Sequence, residues 1–220
     1  MNIDAHRARM LANGDNIGDS LGKSTKDGIN NSFKDSPFYE LVTIGGVETD
    51  VTVVGENVGE NIESLSKKYL TLRPHTKPNI GSIVNYDNSD WVVVDFNRND
   101  IFPLITIRLC NSTFTIKGET TQTPTGETNY RGEPLYATTY GENILIPCIA
   151  EDKFYMGDND QPIRLAGGRL LVTLPYSNNE SFEMGKTFTM YDTNYKIMGV
   201  DKTKMINGVG LIILTGERSN

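Results

Sequence analysis

The segment Gly18-Asp19-Ser20-Leu21-Gly22-Lys23-Ser24 carries two overlapping patterns that could do chemistry. Gly18-x-Ser20-x-Gly22 has the spacing of a seryl nucleophile, and Gly157-Asp158-Asn159-Asp160 resembles a second block of some serine hydrolases. A serine oxygen becomes a nucleophile on a sharp strand-to-helix turn, beside a histidine that an acid orients. Here the residues before Ser20 are polar, and the only histidines are His6 and His75, so the C-terminal part offers no base. The same stretch read as a phosphate loop is one residue short, with Ile17 where the first glycine belongs. It also lacks the buried parallel strand that such a loop must follow.

Metal and acid–base chemistry fare no better. His6, His75, Cys110 and Cys148 contain no close-spaced pair of the kind a zinc site needs. Asp152, Asp158 and Asp160 supply oxygen ligands, but Pro162 and the missing Gly and Glu break a calcium loop, so a solvated acidic turn is expected. Glu119, Glu127, Glu133 and Glu142 lie in loop context and read as solvated charge. Cys110 and Cys148 sit in strand-like apolar runs and read as two buried thiols. Trp91 and the tyrosines read as barrel packing and not as a base-stacking platform. The expectation is a non-enzymatic chain with no catalytic, cofactor-binding or metal-ligating residue and no cofactor.

Composition sets the frame for that reading. The 220 residues include eighteen Phe and Tyr and one Trp, too much aromatic side chain for a disordered chain. Twenty-one Gly and nine Pro favour many turns and short strands over long helices. No apolar run reaches the length that spans a bilayer, and the first residues lack a secretory h-region, so a soluble protein made in the cytosol is expected. The three Asn-x-Ser/Thr sequons at Asn30, Asn111 and Asn179 then carry no glycan. Twenty-eight acidic against 21 basic residues give a net charge of −7, which argues against tight nucleic-acid binding. An acidic wall would instead let DNA slide past.

Four regions are predicted. Residues 1–37 form a polar, partly helical arm, with weak helical stretches at 5–11 and around Ile17, Leu21, Ile29 and Phe33, which share one helical side. Gly18, Gly22 and Gly28 each cost such a helix about 1 kcal/mol, so it is expected to need a surface to dock on. Residues 38–112 form a first β domain, with Gly45-Gly46 and Asp87-Asn88-Ser89 as tight turns. Residues 63–72 are ambiguous between a short helix and an irregular lead-in. Residues 113–143, Thr-, Gly- and Pro-rich, are predicted to be a long loop excursion. Residues 144–220 form a second β region that packs on or completes the first.

One internal similarity links the two halves. Residues 80–109 resemble 184–214, with Gly81, Trp91 and Val93 matching Gly185, Tyr195 and Ile197 at a spacing of 104 residues. Both read as strand, tight turn, aromatic-led strand, wider turn and apolar strand, the meander of a small SH3-like barrel. The fold class expected is mainly β, with two small barrel or sandwich units, the N-terminal arm and the excursion.

Three stretches carry a resemblance to a known family. They are 13–37, with Lys26-Asp27-Gly28-Ile29-Asn30-Asn31-Ser32-Phe33; Leu72-Arg73-Pro74 leading into Asn79-Ile80-Gly81-Ser82-Ile83-Val84; and Asp90-Trp91-Val92-Val93-Val94-Asp95. Together they resemble the neck proteins of tailed bacteriophages, the head-closure (stopper) and head–tail connector proteins. The resemblance implies a virion protein assembled in the host cytoplasm as a homo-oligomeric ring, six-fold or twelve-fold, between portal or adaptor and tail proteins. DNA would pass through the ring without specific binding, no membrane would be involved, and residues 113–141 would supply a contact or gate. The chain is longer than a single-barrel stopper, which leaves adaptor, stopper, tail terminator or another minor virion protein open. The alternative is a carbohydrate- or peptide-binding β module that uses Trp91 and the tyrosines as its stacking surface.

Overall fold

The computed structural model describes residues 17–54, 66–118, 120–155, 162–164 and 167–219. The chain is mainly β and divides into two compact units. One comprises residues 1–110 together with Lys204–Leu211, and the other comprises Asn111–Thr203 with Ile212–Asn220.

The first unit opens with helix α1 (Ile17–Ser32) and a 3-10 turn (Phe33–Asp35). Six strands follow: β1 (Tyr39–Ile44), β2 (Val47–Val54), β3 (Lys67–Leu72), β4 (Ile83–Tyr86), β5 (Ser89–Asn97) and β6 (Leu104–Leu109). They close into an antiparallel barrel in the order β1-β2-β3-β6-β5-β4. Closure comes from Thr43 and Ile44 of β1 pairing with Asn85 and Val84 of β4, which leaves no free edge to aggregate. Two tight turns set the register. Gly45 and Gly46 (φ 58° and 85°) join β1 to β2, and Asp87 and Asn88 (φ 51° and 53°) join β4 to β5. Both central residues lie in the left-handed region, the geometry whose twist matches a two-residue hairpin. Alternating apolar residues point inward from every strand. Val51, Leu70, Leu72, Val84, Val93, Ile105 and Ile107 are fully buried.

In the second unit β7 (Ser112–Ile116), β10 (Ile144–Glu151), β13 (Arg169–Pro175), β14 (Thr187–Met190), β15 (Thr193–Asp201) and β17 (Val209–Arg218) form the sheet β14-β15-β17-β13-β10-β7, which is nearly closed. Two hairpins hang from it: β8 (Thr120–Thr128) with β9 (Pro134–Tyr140), and β11 (Lys153–Tyr155) with β12 (Pro162–Arg164); the short strand β16 (Met205–Ile206), which pairs with Val209 and Gly210 at the start of β17, belongs to the first unit. The core is aromatic. The Phe114 ring lies 5.5 Å from Phe182 and 5.2 Å from Phe188, and Phe188 stacks on Tyr195 at 5.5 Å.

The internal similarity is real in backbone geometry. In the first meander Gly81 N donates to Val93 O (2.8 Å) and Val93 N to Ser82 O (3.0 Å). In the second, Gly185 N donates to Ile197 O (2.8 Å) and Ile197 N to Lys186 O (2.8 Å). Gly81 and Gly185 have φ of 87° and 88°, and Tyr191-Asp192 make the same left-handed turn as Asp87-Asn88. Even the bulge recurs, between Val93 and Asp95 and between Ile197 and Gly199. Strand order agrees as well: β7, β10, β13, β17, β15 and β14 follow the path of β1, β2, β3, β6, β5 and β4. The second unit's sheet repeats the strand path of the first barrel, with long insertions at its turns and without full closure.

Three expectations change. Residues 113–143 are not a loop: Phe114 and Ile116 are core side chains of β7, and the remainder folds as the β8–β9 hairpin. The signal was hidden because threonine is β-branched and suits strands without adding hydrophobicity. Residues 67–72 are the barrel strand β3, not a helix or an irregular lead-in. In α1 the shared apolar side is not buried as a stripe. Leu21 stays 64% exposed, and Phe33, in the 3-10 turn, is the residue that reaches the core. The stretch 5–11 lies outside the described residues.

Candidate interaction surface

Among the described residues no cluster of three His, Cys, Asp or Glu could hold a metal. Ser20 lies inside α1, as do Gly18, Gly22, Lys23 and Ser24, so this segment forms neither a strand-to-helix elbow nor a phosphate loop. His6, Glu119 and the block at 157–160, with Asp158 and Asp160, lie outside the described residues. Asp152, Glu127, Glu133 and Glu142 are exposed, and His75 is an exposed loop residue with φ 73°. Cys148 is buried and its thiol is pushed up to about 12 by burial, which makes it inert at neutral pH. Cys110, expected to be buried, is half-buried at the end of its strand, and both cysteines remain thiols. Trp91 is 4% exposed and its Nε1 donates to the Tyr86 carbonyl (3.2 Å). This removes it from any stacking surface for a sugar or peptide.

Two features remain that act outward. The first is the β8–β9 hairpin. From residue 121 to 139 every side chain is exposed except Asn129, which is half-buried, and none of these residues joins either core cluster. A lone two-stranded hairpin with water on both faces is marginally stable. Its tip is nevertheless tightly built. Asn129 Oδ1 accepts from the backbone N–H of Arg131 (2.9 Å) and Glu133 (3.0 Å), while its Nδ2 donates to Glu133 Oε2 (2.8 Å). Tyr130 at this tip is 87% exposed, and Leu135 and Tyr136 on β9 are 42% and 53% exposed. At the root, Gly118 lies so close to the Gly141 backbone that a side chain there would collide with it. The hairpin therefore leaves the sheet at a close backbone contact and presents an exposed aromatic residue on a hydrogen-bonded turn. Composition gave no hint of this. The one available cue was the run of alternating threonines at 121, 123 and 125.

The second feature is the clamp that holds α1. Arg73 Nε donates to Asp50 Oδ2 (2.6 Å), and Arg73 Nη1 donates to the Asn30 carbonyl (2.6 Å) near the helix C-terminus. Its guanidinium lies 4.9 Å from the Phe33 ring centre. Tyr39 Oη donates to the other Asp50 oxygen (2.6 Å), with Lys34 Nζ at 4.0 Å. The Tyr39 hydrogen bond, followed by the Arg73 bond and charge, lowers the Asp50 carboxyl below its ordinary value. A lowered carboxylate contributes stability above its unfolded pKa of about 3.9, and that contribution is lost as pH falls through the folded value. Between about pH 4 and pH 2 the wild type should therefore lose stability that Asp50→Asn lacks already. Circular dichroism melts across that range should converge for the two proteins, and a constant gap would refute the assignment. Because Arg73 and Asp50 keep some solvent contact, Arg73→Ala should cost only about 1 kcal/mol.

Fold and surface together define the class: a mainly β protein with one closed barrel and a nearly closed sheet of the same strand path, bearing a projecting hairpin and a clamped helical arm. The family described as the YomX C-terminal domain matches residues 112–217, which begins at the first residue of β7 and ends within β17. The SPbeta prophage-derived protein YomX of Bacillus subtilis (strain 168) is 26% identical over 182 residues, covering 81% of this chain and 82% of that protein. The chain is thus related to a prophage-derived protein and is phage-associated in origin. Two solved structures of MrkH align with 90% of this chain. One is described as a c-di-GMP-dependent transcription regulatory factor and the other comes from K. pneumonia. They cover 83% and 84% of their own chains at 7% and 6% identity, each with a TM-score of 0.23, a likeness that carries no argument.

Proposed function

We propose that the chain is a non-enzymatic structural protein of a tailed-phage virion. In this reading identical copies form a ring of six or twelve in the head-to-tail neck, against portal or adaptor on one side and tail on the other. DNA passes through the ring without sequence-specific contact. The observation that supports it most is the β8–β9 hairpin of a phage-related chain: a two-stranded arm, wet on both faces and tipped by an exposed tyrosine. Such an arm gains stability when a neighbour covers it, and an exposed tyrosine is a residue type that anchors interfaces. The closed first barrel suits the ring wall because it offers no edge for uncontrolled strand pairing. The net charge of −7 suits a passage for a polyanion.

Analytical ultracentrifugation and negative-stain imaging test it, on the full chain alone and mixed with a tailed-phage portal. The expected result is a closed ring with the full chain. A variant with residues 121–139 replaced by a short Gly-Ser turn should stay monomeric, since those residues lie outside both cores. A full chain that stays monomeric with and without portal would overturn the proposal.

A further inference from the structure

The two units carry a cleft in the same place. In the first unit a cleft of about 290 Å3 lies between the segment entering β4 and the segment leaving β5. In the second unit a cleft of about 480 Å3 lies between the segment entering β14 and the end of β15. At the repeat's spacing of 104 residues the walls correspond: His75, Asn79, Phe96 and Arg98 match Asn179, Glu183, Val200 and Lys202, and all eight are lining residues. A cleft that recurs at matching positions is a property of this barrel's architecture, not an accident of one loop.

The chemistry of the two has parted. The second cleft sets Glu180 and Glu183 against Lys202. The first sets Lys77 and Arg98 against Asp100, and a smaller adjoining cleft of about 160 Å3 shares Asn79 and Arg98 and adds Lys204. Two adjoining clefts that share Asn79 and Arg98 therefore carry three basic residues, Lys77, Arg98 and Lys204, in a chain whose net charge is −7. All three are exposed, so their pull on an anion is partly screened and strengthens at low salt.

The backbone is shaped to bring them together. His75 adopts a left-handed φ of 73°, uncommon for a residue with a side chain, in the wall that carries Lys77 and Asn79. Across the cleft the Asn99 carboxamide accepts from the backbone N–H of Ile101 (2.8 Å) and Phe102 (3.1 Å), which fixes the loop after Arg98. The Arg98 guanidinium is placed over the Phe96 ring at 6.0 Å. Lys204 belongs to the segment Lys204–Leu211, whose Gly210 backbone lies against Gly81.

We infer that the first-barrel cleft is a binding site for a phosphate group. An arginine fork over an aromatic ring, with Lys77 and the amide of Asn79 in the same lining and Lys204 in the adjoining cleft, matches the tetrahedral oxyanion of a phosphate ester. Its volume fits a phosphate with little more than one sugar attached. Asp100 weakens the field and limits affinity. The matching acidic cleft provides an internal control within one molecule. The inference rests on the paired clefts and is independent of ring formation.

Equilibrium dialysis of the full chain against radiolabelled inorganic phosphate and thymidine 5′-monophosphate, with anisotropy of a labelled dT8 oligonucleotide at low salt, tests it. Saturable binding of at least one probe is expected. Arg98→Gln and Lys77→Gln should each weaken it about tenfold, while Lys202→Gln in the second cleft leaves it unchanged. Tighter binding of dT8 than of the monophosphate would identify a nucleic-acid backbone as the source, and equal or weaker binding a free phosphate ester. Absence of saturable binding to all three probes, or equal losses in the Arg98 and Lys202 variants, would overturn the assignment. A circular dichroism spectrum of each variant guards against misfolding.

Discussion

Gly81→Ala is expected to destabilise the first barrel by about 3 kcal/mol, while Gly185→Ala, its counterpart in the second, costs about 1 kcal/mol. Both glycines have φ close to 88°, where a β-carbon is strained, so both substitutions carry that cost. Their surroundings differ. Around Gly185 nothing lies within 4 Å of a β-carbon, whereas at Gly81 it would press into the carbonyl of Gly210. Gly210 has no room to retreat, because its own Cα, at φ 146°, backs onto the Lys204 carbonyl. Backbone meets backbone on both sides, and no flexible side chain is there to give way. Urea unfolding of each variant measures the difference. Trp91, the one tryptophan of the chain, lies in the first barrel and reports its unfolding by fluorescence. Equal costs for the two variants would mean that Lys204–Leu211 does not pack against Gly81. The smaller cleft adjoining the phosphate site would then lose Lys204 as well.

The same pair of glycines shows how much of this molecule the sequence could disclose. Their spacing, with Trp91 and Val93 against Tyr195 and Ile197, was enough to align two meanders, and turn chemistry at Gly45-Gly46 and Asp87-Asn88 was enough to place two hairpins. These signals are local, so a single chain segment displays them. The strand β3 escaped because Lys67-Lys68-Tyr69-Leu70-Thr71-Leu72 alternates only weakly, and its two lysines lie over Tyr69 and over Tyr86 and Trp91 instead of extending into water. The clamp on α1 escaped for a different reason. Asp50, Arg73 and Asn30 are separated by 20 to 43 positions, and nothing in their neighbours announces that they meet. The cationic cleft is the extreme case, since Lys77, Arg98 and Lys204 converge only after a segment from late in the chain joins the first unit. Basic clusters counted along the sequence could not reveal a cluster that exists only in space.

Phe114→Ala should cost about 4 kcal/mol, although it falls in a stretch whose composition reads as loop. Its side chain is 1% exposed and touches both Phe182 and Phe188, the latter stacked on Tyr195, so truncation removes the hub of the second unit's aromatic cluster. Three rings cannot all collapse into the space of one, and a cavity remains. Phe114→Leu, which keeps most of the volume, should cost about 1.5 kcal/mol. Thr115→Ala, one residue on and exposed on the opposite side of β7, should stay within about 0.5 kcal/mol. The period-two contrast between neighbours is the signature of a strand with one buried face, and a loop cannot produce it. Urea unfolding followed by far-ultraviolet circular dichroism gives all three values. If Phe114→Ala and Thr115→Ala cost the same, β7 does not seat the sheet, and the β8–β9 hairpin loses the root from which it is proposed to engage a neighbour.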